Sequence, residues 1–126
     1  MKVAYVDSSC IVALAFNERH AATLRARMRR FDVLVSSSLL EAEVACALKR
    51  EERPITDMQW SSIRLIHPDR SLTSEISRVL GAGYVRGADC WHLATALYVA
   101  GEPRRVSFLT FDEAQGKVAR TLGFRD

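Results

Sequence analysis

Apolar residues along this chain fall into two kinds of run. Val3-Ala-Tyr-Val6, Phe31-Asp-Val-Leu-Val35 and Val106-Ser-Phe-Leu-Thr110 are short and dominated by apolar side chains, the pattern of strands covered on both faces in a parallel sheet. Between them apolar positions recur at helical spacing, most clearly over 39–50 and 88–100. Strands alternating with helices predict a three-layer α/β/α fold around a central, mainly parallel sheet of four or five strands. A short strand near Phe124 is the expected fifth.

Local signals place the helix ends. Ser38-x-x-Glu41 and Thr56-x-x-Gln59 fit the capping box, in which a side chain at each end of the first turn satisfies a backbone N–H of the other. Pro54 separates the two helices so started, which together run from about Ser37 to Ile66. Gly81, Gly83 and Gly87 are expected to loosen the chain before a helix that begins near Ala88. With 126 residues and no repeat or linker, a single domain over 1–126 is expected, burying roughly two-thirds of its unfolded surface.

Composition narrows the class. A chain that is 48% hydrophobic and 26% charged is neither disordered nor fibrous. Its apolar runs fall far short of the ~20 residues that span a bilayer, and no signal-peptide pattern precedes the first strand, so the cytoplasm is expected. Cys10, Cys46 and Cys90 are odd in number and widely spaced, which points to small buried hydrophobes rather than disulfides or zinc ligands. Net charge is only +3, but 15 of 18 basic residues are arginine, the side chain that matches phosphate geometry.

Four carboxylates stand out. Asp7 and Asp112 fall just beyond the carboxyl ends of two predicted strands, where ligands gather in open parallel sheets. Each also reads as a helix N-cap, and both readings stay open. Glu43 shares a helical stripe with Leu40, Val44 and Ala47; Asp89 shares one with Leu93, Ala96 and Ala100. Inward acids normally need a cation partner, a shifted pKa or a metal. Arg86 is a possible partner for Asp89, whereas no lysine or arginine occupies a matching inward position beside Glu43. Clustered carboxylates with little histidine suit Mg²⁺ or Mn²⁺ better than zinc.

Four segments, Tyr5-Val-Asp7-Ser-Ser9, Glu43-Val-Ala-Cys-Ala-Leu48, Arg86-Gly-Ala-Asp89-Cys-Trp-His-Leu-Ala-Thr-Ala96 and Leu109-Thr-Phe-Asp112, resemble the successive motifs of PIN domains in order and spacing. The whole chain has the length of stand-alone VapC-type toxins, the nuclease halves of toxin–antitoxin pairs. The resemblance implies a PIN-like fold and a metal pocket of Asp7, Glu43, Asp89 and Asp112, with Ser9 and Thr110 in support. It implies hydrolysis of RNA with Mg²⁺ or Mn²⁺, leaving a 5′-phosphate and a 3′-hydroxyl, in a homodimer inhibited by a VapB-like antitoxin. His92 within the third motif reads as a structural hydrogen-bonding histidine. Cysteine at positions 10 and 90 and tryptophan at 91 depart from the commoner small apolar residues without removing an acid.

Other readings fit less well. A phosphoacceptor signalling domain needs paired acids after its first strand, and a phosphatase with an Asp-x-Asp nucleophile needs an acid where Ser9 stands. A PIN ribonuclease of RNA maturation and a non-cleaving RNA-binding PIN module are the alternatives within the family. Arg25, Arg27, Arg29 and Arg30 leave Ala21, Leu24, Met28 and Phe31 as a packing face. The exposed arginines are then a solvated surface or, through Arg25 and Arg29, an RNA contact. Trp60 and Ile63 offer either core packing or an interface for a second subunit or an antitoxin.

Overall fold

A computed structural model describes residues 1–55 and 61–126. Strands β1 (Val3–Val6), β2 (Val33–Ser37), β3 (Arg64–Ile66) and β4 (Val106–Leu109) form one parallel sheet in the order β3-β2-β1-β4. Of the three predicted strands, β1 has the expected bounds, β2 lies two residues later and β4 ends one residue sooner; β3 falls where a helix was expected to run on to Ile66. It has only three residues, too few to show a period. Near Phe124 the chain adds a single parallel bridge, Arg125 opposite Ser107, with the Phe108 N–H donating to Arg125 O at 2.8 Å.

The helices are α1 (Ser8–Ala15), α2 (Ala21–Met28), α3 (Leu39–Arg50), α4 (Thr73–Ala82), α5 (Gly87–Ala100) and α6 (Glu113–Leu122). Strand pleating sends Ala4, Val6 and Leu109 into a core with Ile11, Leu24, Leu40 and Val44, so α1, α2 and α3 cover one face. Tyr5, Val35 and Phe108 point the other way and pack with Val79, Leu93, Leu97 and Val118 from α4, α5 and α6. Three layers result. No helix among the described residues is long and apolar enough to cross a membrane.

Several local expectations change. Ser38 makes no side-chain cap; the Leu39 N–H instead donates to Ser37 Oγ at 3.0 Å, because Ser38 already has helical backbone angles. The Thr56–Gln59 box and Trp60 lie outside the described residues. Ile63 is buried, which assigns it to the core rather than to an interface. Gly81 lies inside α4, and a Cβ at Gly83 would sit 2.9 Å from Val118 Cγ2, so the missing side chain lets α4 end close against α6.

Topology locates the functional edge. The chain leaves β1 into α1 on one face and leaves β4 into α6 on the other, although β1 and β4 are neighbours. A gap opens beyond their carboxyl ends where the two helices diverge, the usual place for a ligand in such sheets.

Candidate active site

Asp7 and Asp112 flank this gap. Asp7 caps α1, its Oδ2 accepting the Ser9 N–H at 3.1 Å. Asp112 caps α6, its Oδ1 accepting the Gln115 N–H at 2.8 Å. The capping reading is therefore real for both acids, and it does not exhaust them. Asp7 is only 3% exposed, and its carboxylate also receives Gln115 Nε2 on Oδ1 at 3.2 Å. Thr110 Oγ1 stands 3.3 Å from Asp7 Oδ2 and 2.7 Å from Gln115 Oε1, so its one proton serves one of them at a time. These partners are neutral: they solvate the Asp7 carboxylate without balancing its charge.

Ser9 ties the same corner together. Its hydroxyl lies 3.3 Å from Thr110 Oγ1 and accepts the Phe111 N–H at 3.0 Å, while the Asp112 N–H donates to Thr110 Oγ1 at 3.0 Å. Both predicted supporting residues thus sit inside the cluster. Gln115 is the member that sequence reasoning missed as a functional residue. A signal existed: it shares a helical stripe with Val118 and Ala119, both buried, and is itself fully buried.

Asp89 enters from the first turn of α5 and is half-buried. Burial, and then the charges of Asp7 and Asp112, hold its carboxyl above the usual carboxylate range; Arg86 and His92 oppose that rise. Among the described residues, neither Arg86 nor any other arginine or lysine forms an ion pair with Asp7, Glu43, Asp89 or Asp112.

Glu43 is placed differently. It rises from the middle of α3 beside buried Leu40 and Val44, and its Oε1 lies 2.5 Å from His92 Nε2. The partner absent from its own helix comes from α5, on the opposite face of the sheet. His92 is fully buried, its Nδ1 is 2.7 Å from the Tyr5 hydroxyl, and its Nε2 is also 3.8 Å from Asp7 Oδ1. Burial, with further contributions from Asp7 and Glu43, pushes the Tyr5 phenol well above its ordinary value, so it keeps its proton. The Tyr5 O–H can donate to Nδ1 while Nε2–H donates to Glu43, which satisfies the whole chain.

The donor set consists of hard oxygens, and the Asp89 carboxyl, raised first by burial, is raised further by the charges of Asp7 and Asp112. Both features fit a divalent cation chemically. Among the described residues, however, no three of these side chains stand together as a ready cation cage. Asp7, Asp112 and Glu43 are each turned toward protein partners, and binding would require some of those contacts to loosen.

On the β4–α6 side of the gap, Thr110, Phe111 and Asp112 line a cleft of about 570 Å³ with Arg27, Lys117 and Arg120, which Asp7, Glu43 and Asp89 do not line. Arg25 and Arg29 line a separate cleft with Leu14 and Phe31, which none of the four acids lines. The three cysteines stand apart from this chemistry. Cys10 and Cys90 are buried as expected, burial pushing Cys10 up to about 12, whereas Cys46 is exposed, because its place on α3 faces solvent rather than the core.

Comparison with known proteins accords with this architecture. The PIN domain profile matches residues 4–121. Ribonuclease VapC46 of Mycobacterium tuberculosis is 33% identical over 126 residues, covering 98% of this chain and 95% of the relative. No solved structure matches the chain. Because the domain match runs almost from end to end and the relative aligns over nearly its full length, the chain belongs to the PIN-domain family, in its VapC branch.

Proposed function

We propose that this protein is an endoribonuclease that hydrolyses RNA phosphodiester bonds with Mg²⁺ or Mn²⁺ held by Asp7, Asp89, Asp112 and Glu43. The observation that carries the reading is the convergence of Asp7, Asp112 and the start of α5 at Asp89 on one sheet edge, joined through Thr110 and Gln115, with no arginine or lysine among the described residues paired to any of the acids. A bound divalent cation supplies Lewis-acid activation of water and offsets charge on the phosphate. Ser9, Thr110 and Gln115 orient the Asp7 carboxylate. The N-terminus of α6 fixes Asp112, and His92 backed by Tyr5 fixes Glu43. None of the acids serves as a nucleophile in this scheme.

The ribonuclease name of its M. tuberculosis relative supports RNA as the substrate. From the chain's place in the VapC branch we propose a toxin role, as a homodimer controlled by a VapB-like antitoxin, and we place it in the cytoplasm. The decisive experiment is cleavage of a mixed RNA pool by the purified chain with Mg²⁺ or Mn²⁺, with EDTA, and with Asp7→Asn or Asp89→Asn. Cutting should require the metal and fall on the order of a thousandfold in either variant, as expected for several kcal/mol of lost charge stabilisation. Equal cutting in EDTA, or by both variants, would defeat the proposal. Binding without cutting would instead assign a non-cleaving module. Cutting by a chain with no antitoxin encoded beside it would favour a role in RNA maturation.

A further inference from the structure

We propose that Phe111 is a stacking platform for a nucleobase of single-stranded RNA, placed beside the phosphate that the acidic edge acts on. This rests on the ribonuclease reading. Phe111 stands between Thr110 and Asp112 with 46% of its surface exposed, while Phe108 and Phe124 nearby are buried in the core. A lone exposed aromatic is commonplace, so exposure is only the starting point.

Position distinguishes this ring. Phe111 lines both the cleft of about 570 Å³ that holds Asp112 and a second cleft of about 460 Å³ lined by Ser9, Arg19 and His20, so it forms the ridge between them. The His20 ring lies 6.3 Å away at 36°, a second flat surface on that side. The backbone beneath the ridge is pinned, with the Phe111 N–H on Ser9 Oγ and the Asp112 N–H on Thr110 Oγ1. A base resting on Phe111 would therefore be held at a set distance from the carboxylates.

Charge argues for stacking over simple phosphate attraction. In the larger cleft Arg27, Lys117 and Arg120 are offset by Asp112, Glu113 and Asp126, with Asp126 Oδ1 3.5 Å from Arg120 Nη1. Cations and acids balance there, so a polyanion gains little net attraction from that wall. An aromatic ridge flanked by basic side chains is how proteins hold single strands, whose unpaired bases offer π-faces. A protein segment docking on the ridge is the competing occupant, and the test separates the two.

Short single-stranded RNAs of mixed sequence, each carrying 2-aminopurine at one position, would be bound to the full chain bearing Asp89→Asn, so that the RNA is not consumed. Stacking quenches this base, and quenching at one or two positions is expected. Adding Phe111→Ala or Phe111→Leu should abolish the quench and weaken binding about tenfold, while Phe111→Tyr preserves both. In the otherwise unaltered enzyme, Phe111→Ala should raise KM far more than it lowers kcat, with an unchanged urea midpoint. Unchanged RNA affinity and quench in Phe111→Ala would overturn the proposal and leave the ribonuclease reading standing. Full rescue by Phe111→Leu would overturn it too, since apolar contact would then suffice. Loss of antitoxin binding alone in Phe111→Ala would assign the ridge to a protein partner. An intact chain that neither binds nor cuts RNA would sink both readings.

Discussion

Glu43 and Asp89 are both acids set among apolar helical positions, yet the fold treats them in opposite ways. Glu43 meets His92, which Tyr5 backs from behind, so its partial burial is balanced within the protein. Asp89 finds no such partner among the described residues, and its carboxyl is raised, first by burial and then by the charges of Asp7 and Asp112. One half of the sheet edge is therefore structurally complete, while in the other no basic side chain among the described residues pairs with the acids. An inward acid is a weak sign of a site taken singly, because a distant residue can complete it; acids that repel one another are the stronger sign.

The largest effect on stability that would test this contrast comes from the completed half. His92→Ala removes a fully buried ring and strands Glu43, and should cost about 2–4 kcal/mol in urea unfolding. A loss below about 1 kcal/mol would mean that Glu43 relaxes into water and that the two halves do not differ in this way.

In the crowded half the expected change is smaller and opposite in sign. Asp89 releases its proton less readily in the folded chain than in the unfolded one. The folded state thus holds the extra proton, and stability declines as pH rises from the unfolded carboxyl value of about 3.9 through the folded value, then levels off. Asp89→Asn removes that decline. In EDTA at neutral pH the variant should be more stable, by less than about 1 kcal/mol because the group is partly in water, and the gain should vanish at acid pH. Thermal melts across that range would show it, and a variant less stable at neutral pH would contradict the contrast.

The weakest effect concerns the arginines. Replacing Arg25 and Arg29 by alanine should leave the salt dependence of RNA binding nearly unchanged, because their cleft is separate from the acids. Arg27→Ala, in the cleft that holds Asp112, should lower the slope by somewhat less than about one, because acids on the same wall offset its charge. The reverse result would move the RNA path to the outer face of α2.

Much of the architecture was legible in advance. Apolar runs marked β1, β2 and β4, and helical stripes marked α3 and α5, because burial on both faces leaves an unbroken apolar run and burial on one face leaves a period, and either is a pattern in the chain. β3 escaped because three residues cannot display one, and the Ser38 box failed because a backbone already helical at Ser38 leaves the cap to Ser37. The positions of Asp7 and Asp112 beyond their strands, and the helix-cap role of each, were also readable. Cys46 was misjudged because a cysteine on a helix is apolar enough for either face.

By itself the sequence determined which residues are anomalous: acids at strand ends and acids within apolar stripes, both properties of neighbours a few positions away. Only the tertiary structure decided which anomalies answer one another. Glu43 and His92 lie on helices covering opposite faces of the sheet, and Asp7 and Gln115 are 108 residues apart. Their pairing follows from strand order: placing β4 beside β1 brings α1 and α6 to one gap. Electrostatic balance depends on distances through space, and the chain acquires those distances only on folding.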